Sequence, residues 1–269
     1  MMRLVRLALV LAIVAPAAAC FQSSTVLKIK GDGSGTIEQR TVVTEAALEQ
    51  LRAFTILGGG RGGDVDPVSE TQARAMAATL GPGVTYVSSS PIKTPTGTGR
   101  EAVYSFTDIS TVRVSEQGQL PAGVSLSAPG LGSGANITFA MTRQPDGSAT
   151  LRIAVPRIAL PTAAPGGATG GFSPTADQIA MAKQVLAGAH LSVVVEPDGR
   201  LVKTSSPYAD GDRVTLIDID VDQATSDLGF LTKLQAAQNV EEMKAAISGV
   251  PGLKLNLDPE ITIEFTPAK

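Results

Sequence analysis

Apolar and polar positions alternate along most of the chain beyond residue 25, and the alternation changes period at a few well-marked places. Residues 26–30 and 36–43 alternate like strands on either side of Gly31-Asp32-Gly33-Ser34-Gly35, which predicts a hairpin. Residues 137–142 and 149–155 do the same across Pro145-Asp146-Gly147, and residues 191–196 and 200–204 across Pro197-Asp198-Gly199. In that tripeptide Pro suits the first central position of a type I turn and Gly the left-handed site after it. The chain therefore reads as three similar β-turn-β units, whose irregular spacing argues against a solenoid or propeller. Further strands are predicted at 84–88, 101–110, 213–222, 253–257 and 261–265.

The period changes to that of a helix where capping residues announce it. Thr44 precedes Ala47, Leu48 and Leu51 on one helical face. Ser69 with Gln72 forms a capping box before Ala73, Met76, Ala77 and Leu80, closed by Gly81-Pro82. Thr175 with Gln178 makes another, followed by Ile179, Ala182, Leu186 and Ala189. Leu228, Leu231 and Leu234 suggest a helix, and Asn239 with Glu242 opens one that carries Met243 and Ile247. Strands joined by hairpins, with helices in clusters, predict an α+β fold: a largely antiparallel sheet with helices packed on one face.

Three stretches interrupt these patterns. Residues 58–64 hold five glycines with Arg61 and Asp64, 117–135 are rich in Gly, Pro and Ser, and 161–174 in Pro, Ala and Gly. The last reads as a linker or loop between an N-terminal half, 26–160, and a C-terminal half, 175–269, which form two domains or one continuous domain.

The first residues follow a different rule. Arg3 and Arg6 open the chain, 7–15 are an unbroken apolar run, and Ala17-Ala18-Ala19 precede Cys20. This is the pattern of an export signal over 1–19, and the apolar run is too short to cross a bilayer. Cys20 is the only cysteine. It stands where a bacterial lipoprotein carries the thiol that receives diacylglycerol, although Ala17 replaces the usual Leu. The other reading is ordinary leader removal with a free terminal thiol, which would be unusual in an exported protein. Residues 20–25 are then the lipidated Cys and a short polar tether. Phe21 rather than Asp after the Cys suggests outer-membrane sorting, facing the periplasm, if the organism has two membranes.

Composition narrows the partners. Without the leader the chain keeps 20 basic residues against 25 acidic ones, a formal charge of −5, and it has no basic cluster for nucleic acid. There is no Trp and aromatics are only 4%, so stacking platforms for sugars or bases are scarce. No internal disulfide is possible.

Candidate chemistry is thin. Asp218, Asp220 and Asp222 alternate with Ile217, Ile219 and Val221, with Asp210 and Asp212 upstream. Alternate strand residues are roughly 6.6 Å apart, so the row is a weak candidate for a hard cation such as Ca²⁺ and otherwise a solvated strand face. His190 is the only histidine and reads as structural, because no nucleophile-elbow motif accompanies it. Residues 130–135 imitate a dinucleotide fingerprint without the strand-to-helix context, and 59–64 a single calcium-binding repeat without its stack. No catalytic residue and no cofactor is expected.

Residues 26–35 just after the cysteine, together with Gly211-Asp212-Arg213-Val214-Thr215-Leu216, resemble an uncharacterised class of bacterial envelope lipoproteins, loosely similar to mycobacterial LppM-type lipoproteins. The resemblance implies an envelope location, an α+β framework and a lipid-binding role. The expected function is a non-catalytic, membrane-anchored module for an apolar ligand or envelope lipid. The alternative is a scaffold recruiting an envelope protein partner, and the third reading a hydrolase with an unrecognised site.

Overall fold

The computed structural model of the chain describes residues 21–45, 47–48, 69–95, 97–115, 136–156, 187–226, 229–237 and 239–268. The leader with Cys20, the linker 161–174, the helix expected after Thr175 and both glycine decoys lie outside the described residues.

The described chain is mostly strand, arranged in two sheets. In the larger, β1 (Phe21–Ile29), β2 (Gly35–Thr44), β3 (Thr85–Thr94), β4 (Gly97–Phe106), β8 (His190–Pro197), β10 (Ala209–Asp210) and β11 (Arg213–Asp220) run in the order β10-β11-β8-β1-β2-β4-β3. The short β12 (Leu253–Leu255) pairs with β11 as well. Every pairing is antiparallel except β1 with β8. The smaller sheet is antiparallel throughout: β5 (Arg113–Ser115), β6 (Asn136–Arg143), β7 (Ala149–Ala154), β13 (Glu260–Pro267) and β9 (Gly199–Thr204), in that order. Strands from before and after the linker share both sheets, so the two halves are interleaved.

The core lies where the sheets face each other. Leu27, Ile29, Ile37, Tyr104, Phe106 and Val195 of the larger sheet meet Phe139, Leu151, Ile153, Ile261, Ile263 and Phe265 of the smaller in one buried cluster. β8 is buried on both faces from Ser192 to Val195, as befits a central strand in a parallel pairing. Helix α1 (Glu70–Leu80) starts where the capping box predicts. Ser69 Oγ accepts the Gln72 N–H at 3.2 Å, and Ala73, Ala77 and Leu80 join the cluster. The Tyr104 hydroxyl donates to the Ala73 carbonyl at 2.9 Å, tying α1 to β4. A short α2 (Val221–Ala224), then α3 (Gly229–Ala236) and α4 (Val240–Ile247), follow β11. Asn239 caps α4, and Met243, Ala246 and Ile247 are buried.

Two hairpins form at the predicted turns, and they are the same turn built twice. In both, a carboxylate accepts the N–H and the hydroxyl of the serine two residues on, Asp32 from Ser34 and Asp146 from Ser148. Gly33 and Gly147 sit at φ 84° and 87° in the left-handed region. The serine hydroxyl, and then its N–H, hold each carboxyl below the ordinary carboxylate range.

The third expected hairpin does not form. At Pro197-Asp198-Gly199 the chain leaves the larger sheet and enters the smaller one, β8 pairing with β1 and β11 while β9 pairs with β13. Asp198 N–H bonds the Ile29 carbonyl at 2.7 Å, and its own carbonyl accepts from Ala268. This is a corner between packed sheets rather than a reversal within one. A second correction concerns residues 21–25, which are not a tether but the first part of β1, in register with β2 from Phe21↔Val43 onward. Third, the strand expected at 84–88 runs on to Thr94, through Pro91. As an edge strand it tolerates a residue without an N–H.

Candidate functional site

The residues singled out as candidates, though distant in sequence, gather at one end of the larger sheet, where β1 and β8 begin and β11 ends. His190 lies opposite Gln22 of β1 and opposite Asp220 of β11. Its Nε2 is 2.8 Å from Asp218 Oδ1, and Lys254 Nζ stands 3.7 Å from the other oxygen of the same carboxylate. The His190 ring is bonded and half-exposed on the outer face of the sheet.

The expected carboxylate row is not assembled. A register shift between Thr215 and Ile217 buries Leu216 and Ile217 in succession, and the strand ends at Asp220, where α2 takes over. Asp220 caps that helix, accepting from Gln223 N at 3.0 Å and Gln223 Nε2 at 2.7 Å. Asp222 is in the helix, and both of its oxygens lie 3.0 Å from the Gly188 N–H. The alternation of Ile, Asp and Val holds in sequence, but the change from strand to helix sends the three carboxylates to three different partners. Upstream, Asp212 accepts the Leu201 N–H at 2.7 Å. Among the described residues no group of three or more His, Cys, Asp and Glu is placed to hold a metal ion.

A serine stands beside the His190–Asp218 pair. Ser192, two residues along β8 and directly opposite Asp218, is buried, but its hydroxyl donates to Ser24 Oγ at 3.0 Å. The residue types of a hydrolytic triad are thus present on one face, while the hydroxyl is bonded to another serine and the ring nitrogen directly to the acid.

The opposite, inner face of the same sheet end carries a feature that composition concealed. The inward positions of β1 run Phe21, Ser23, Thr25, Leu27, Ile29, and those of β2 run Gly35, Ile37, Gln39, Thr41, Val43. Cross-strand pairing sets Ser23 against Thr41 and Thr25 against Gln39. Ser23 and Thr25 are 1% exposed, Gln39 7% and Thr41 8%. Next to Thr41 on β4 is Arg100, whose Nη1 donates to Ser89 Oγ at 2.9 Å. A polar band therefore crosses a buried face, bounded on one side by Leu27 and Ile37 and on the other by Phe21 and Val43. Val43 packs with Ala47 and Leu48, and the Ala47 N–H reaches Thr44 Oγ1 at 3.4 Å.

Ser23 Oγ is fully buried and has no hydrogen-bond partner among the described residues. Leaving a buried hydroxyl unsatisfied costs about 1–3 kcal/mol. The sequence signal for the band was the period-two pattern extended backward from Leu27 to Phe21, hidden by reading Gln22-Ser23-Ser24-Thr25 as a polar tether.

Compared with known proteins, the chain matches no family model, no curated protein and no solved structure. No described helix is long and apolar enough to cross a membrane.

Proposed function

We propose that this chain is an exported cell-envelope lipoprotein, acylated at Cys20, that works without catalysis by holding an envelope lipid, polar end against the band of Ser23, Thr25, Gln39 and Thr41. The observation that carries the reading is the buried, unpartnered Ser23 hydroxyl within a strand that starts one residue after the acyl acceptor. The space between the sheets is filled by the chain's own side chains, Leu27, Ile37, Leu151 and Phe265 among them at 0% exposure, which leaves the Ser23 hydroxyl as the atom of the band with unmet bonding capacity. Apolar residues on both sides of it suit an amphiphile better than a wholly polar ligand. The non-catalytic part rests on the bonds already made by Ser192 and His190.

In this reading the helices cover one face of the larger sheet, and α1, through Ala73, Ala77, Leu80 and the Tyr104 bond, supports that placement. In an organism with two membranes the protein belongs on the outer one, facing the periplasm, and the likeness to LppM-type lipoproteins fits the same role.

The test is mass spectrometry on detergent-extracted native protein. A stoichiometric lipid is expected with the wild type and is expected to be lost from Ser23→Val and Thr41→Val while the fold survives. A wild type that carries none sinks the ligand reading. Cys20→Ser should lose its fatty acids and leave the membrane fraction, and an unchanged fraction would sink the anchor.

A further inference from the structure

We infer that the molecule stands end-on at the bilayer, with the strand end carrying Phe21, Val43, Thr98 and Lys93 in the lipid headgroup layer. This rests on acylation of Cys20 and goes beyond it, since an anchored protein with a long tether has no fixed orientation.

Here the tether is absent. Cys20 and Phe21 are consecutive, so their Cα atoms are about 3.8 Å apart, and Phe21 is already paired with Val43 and only 4% exposed. The strand that carries the anchor is also not at an edge. β1 is flanked by β2, β4 and β3 on one side and by β8 and β11 on the other. The acyl chains therefore leave from the middle of a wide sheet end, and the strand termini beside it share the same level.

The register names them: Phe21 opposite Val43, Val43 opposite Thr98, Thr98 opposite Lys93. With strands spaced about 4.8 Å, Lys93 is about 14 Å from β1 along the membrane plane. Its exposed side chain meets the level of the lipid phosphates, an interaction that favours a cation, while across β1 at the same sheet end the carboxylates of Asp220 and Asp222 are bonded to the Gln223 and Gly188 N–H groups. At the other end of β1, Lys30 is about 30 Å away at roughly 3.3 Å per residue, and it too is exposed. The outer face of the sheet, the alternative contact, carries the Lys28–Glu38 and Arg213–Glu196 ion pairs, whose charges are already matched to each other. With more than one acyl chain the protein stays on the membrane throughout.

The absence of tryptophan makes the test direct. Full-length acylated protein carrying Lys93→Trp or Lys30→Trp is placed in phosphatidylethanolamine and phosphatidylglycerol vesicles with a nitroxide quencher on the lipid headgroup. Quenching several-fold stronger for Lys93→Trp than for Lys30→Trp is expected. A flexible Gly and Ser insert between Cys20 and Phe21 should reduce that ratio by more than half at unchanged acylation mass. Equal quenching of the two variants on a terminus shown by mass to be acylated would overturn the orientation and leave the anchor standing. A terminus without acyl chains would overturn both.

Discussion

Two halves of one sheet face, built by the same strands, differ in chemistry while agreeing in burial. Near the 30–34 turn, β1, β2, β4 and β8 turn Leu27, Ile29, Ile37, Tyr104, Phe106 and Val195 inward; toward the Phe21 end, β1 and β2 turn Ser23, Thr25, Gln39 and Thr41 inward instead. Each of these ten side chains is at most 8% exposed. Burial alone therefore does not identify a core. The first half removes apolar area from water and gains free energy by it, whereas the second removes hydroxyls and an amide from water and gains only if they are bonded. The unfavourable half lies at the Phe21 end of the sheet, where the proposed function puts a ligand.

The sharpest contrast is expected from truncation on the aliphatic side. Ile37, fully buried against the smaller sheet, should cost about 2–5 kcal/mol as Ile37→Ala, from lost transfer energy and the cavity left behind. Urea unfolding measures it, and a loss below about 1 kcal/mol would mean that the two halves are not energetically distinct.

The aliphatic half is also where the sheets are joined, and the two Pro-Asp-Gly tripeptides separate joining from turning. An added Cβ at Gly147 would meet nothing within 4 Å, whereas at Gly199 it would lie 2.1 Å from the Thr266 carbonyl oxygen. Gly147→Ala should cost about 1 kcal/mol for its left-handed backbone, and Gly199→Ala about 1–3 kcal/mol more for the overlap. Equal midpoints in urea for the two variants would remove the distinction between corner and hairpin.

That pair also marks how far the sequence could be read. The turns at Gly33 and Gly147 were legible because all their bonds are local, an aspartate, a glycine and a serine within five residues. At Asp198-Gly199 the serine is replaced by Arg200, a small signal that the carboxylate would not close a turn, and what fixes the chain there is the Ile29 carbonyl on a distant strand. Caps at Ser69 and Asn239 were legible for the same local reason. The parallel pairing of β1 with β8 was not, because partner choice depends on chain segments more than 160 residues apart, as in the Ser24–Ser192 contact. His190 and Asp218 were visible as candidates, and their contact was not. Ser23 was visible and misplaced, since polar composition outweighed an alternation that continued through it.

Tyr104 sits at the aliphatic margin, opposite Ile37, and allows an alkaline test of how dry that half is. Burial, and then the nearby Tyr86, push its phenol up to about 12 from an ordinary value near 10. The folded protein therefore keeps a proton that the unfolded chain releases first. The stability this contributes is complete below pH 10 and is lost as the pH rises through about 12. Phenolate absorbance should show one of the three tyrosines ionising late, and Tyr104→Phe should abolish that step while losing about 1 kcal/mol with the bond to Ala73. A Tyr104 step at its ordinary value of 10 would mean that water reaches this half as well.

The smallest effect on stability is expected where the effect on ligand is largest. The Ser23 hydroxyl is desolvated without a partner, so Ser23→Ala removes a cost rather than a bond, and its unfolding free energy should be unchanged or higher by up to about 1 kcal/mol. The amphiphile proposed to bind there should be lost from the same variant, whereas Ile37→Ala, measured below its lowered urea midpoint, should retain it. This crossing of stability against occupancy is what a binding site requires and what a core does not. If Ser23→Ala instead lost stability as Ile37→Ala does and kept its lipid, the polar band would be ordinary core that happens to be built from hydroxyls.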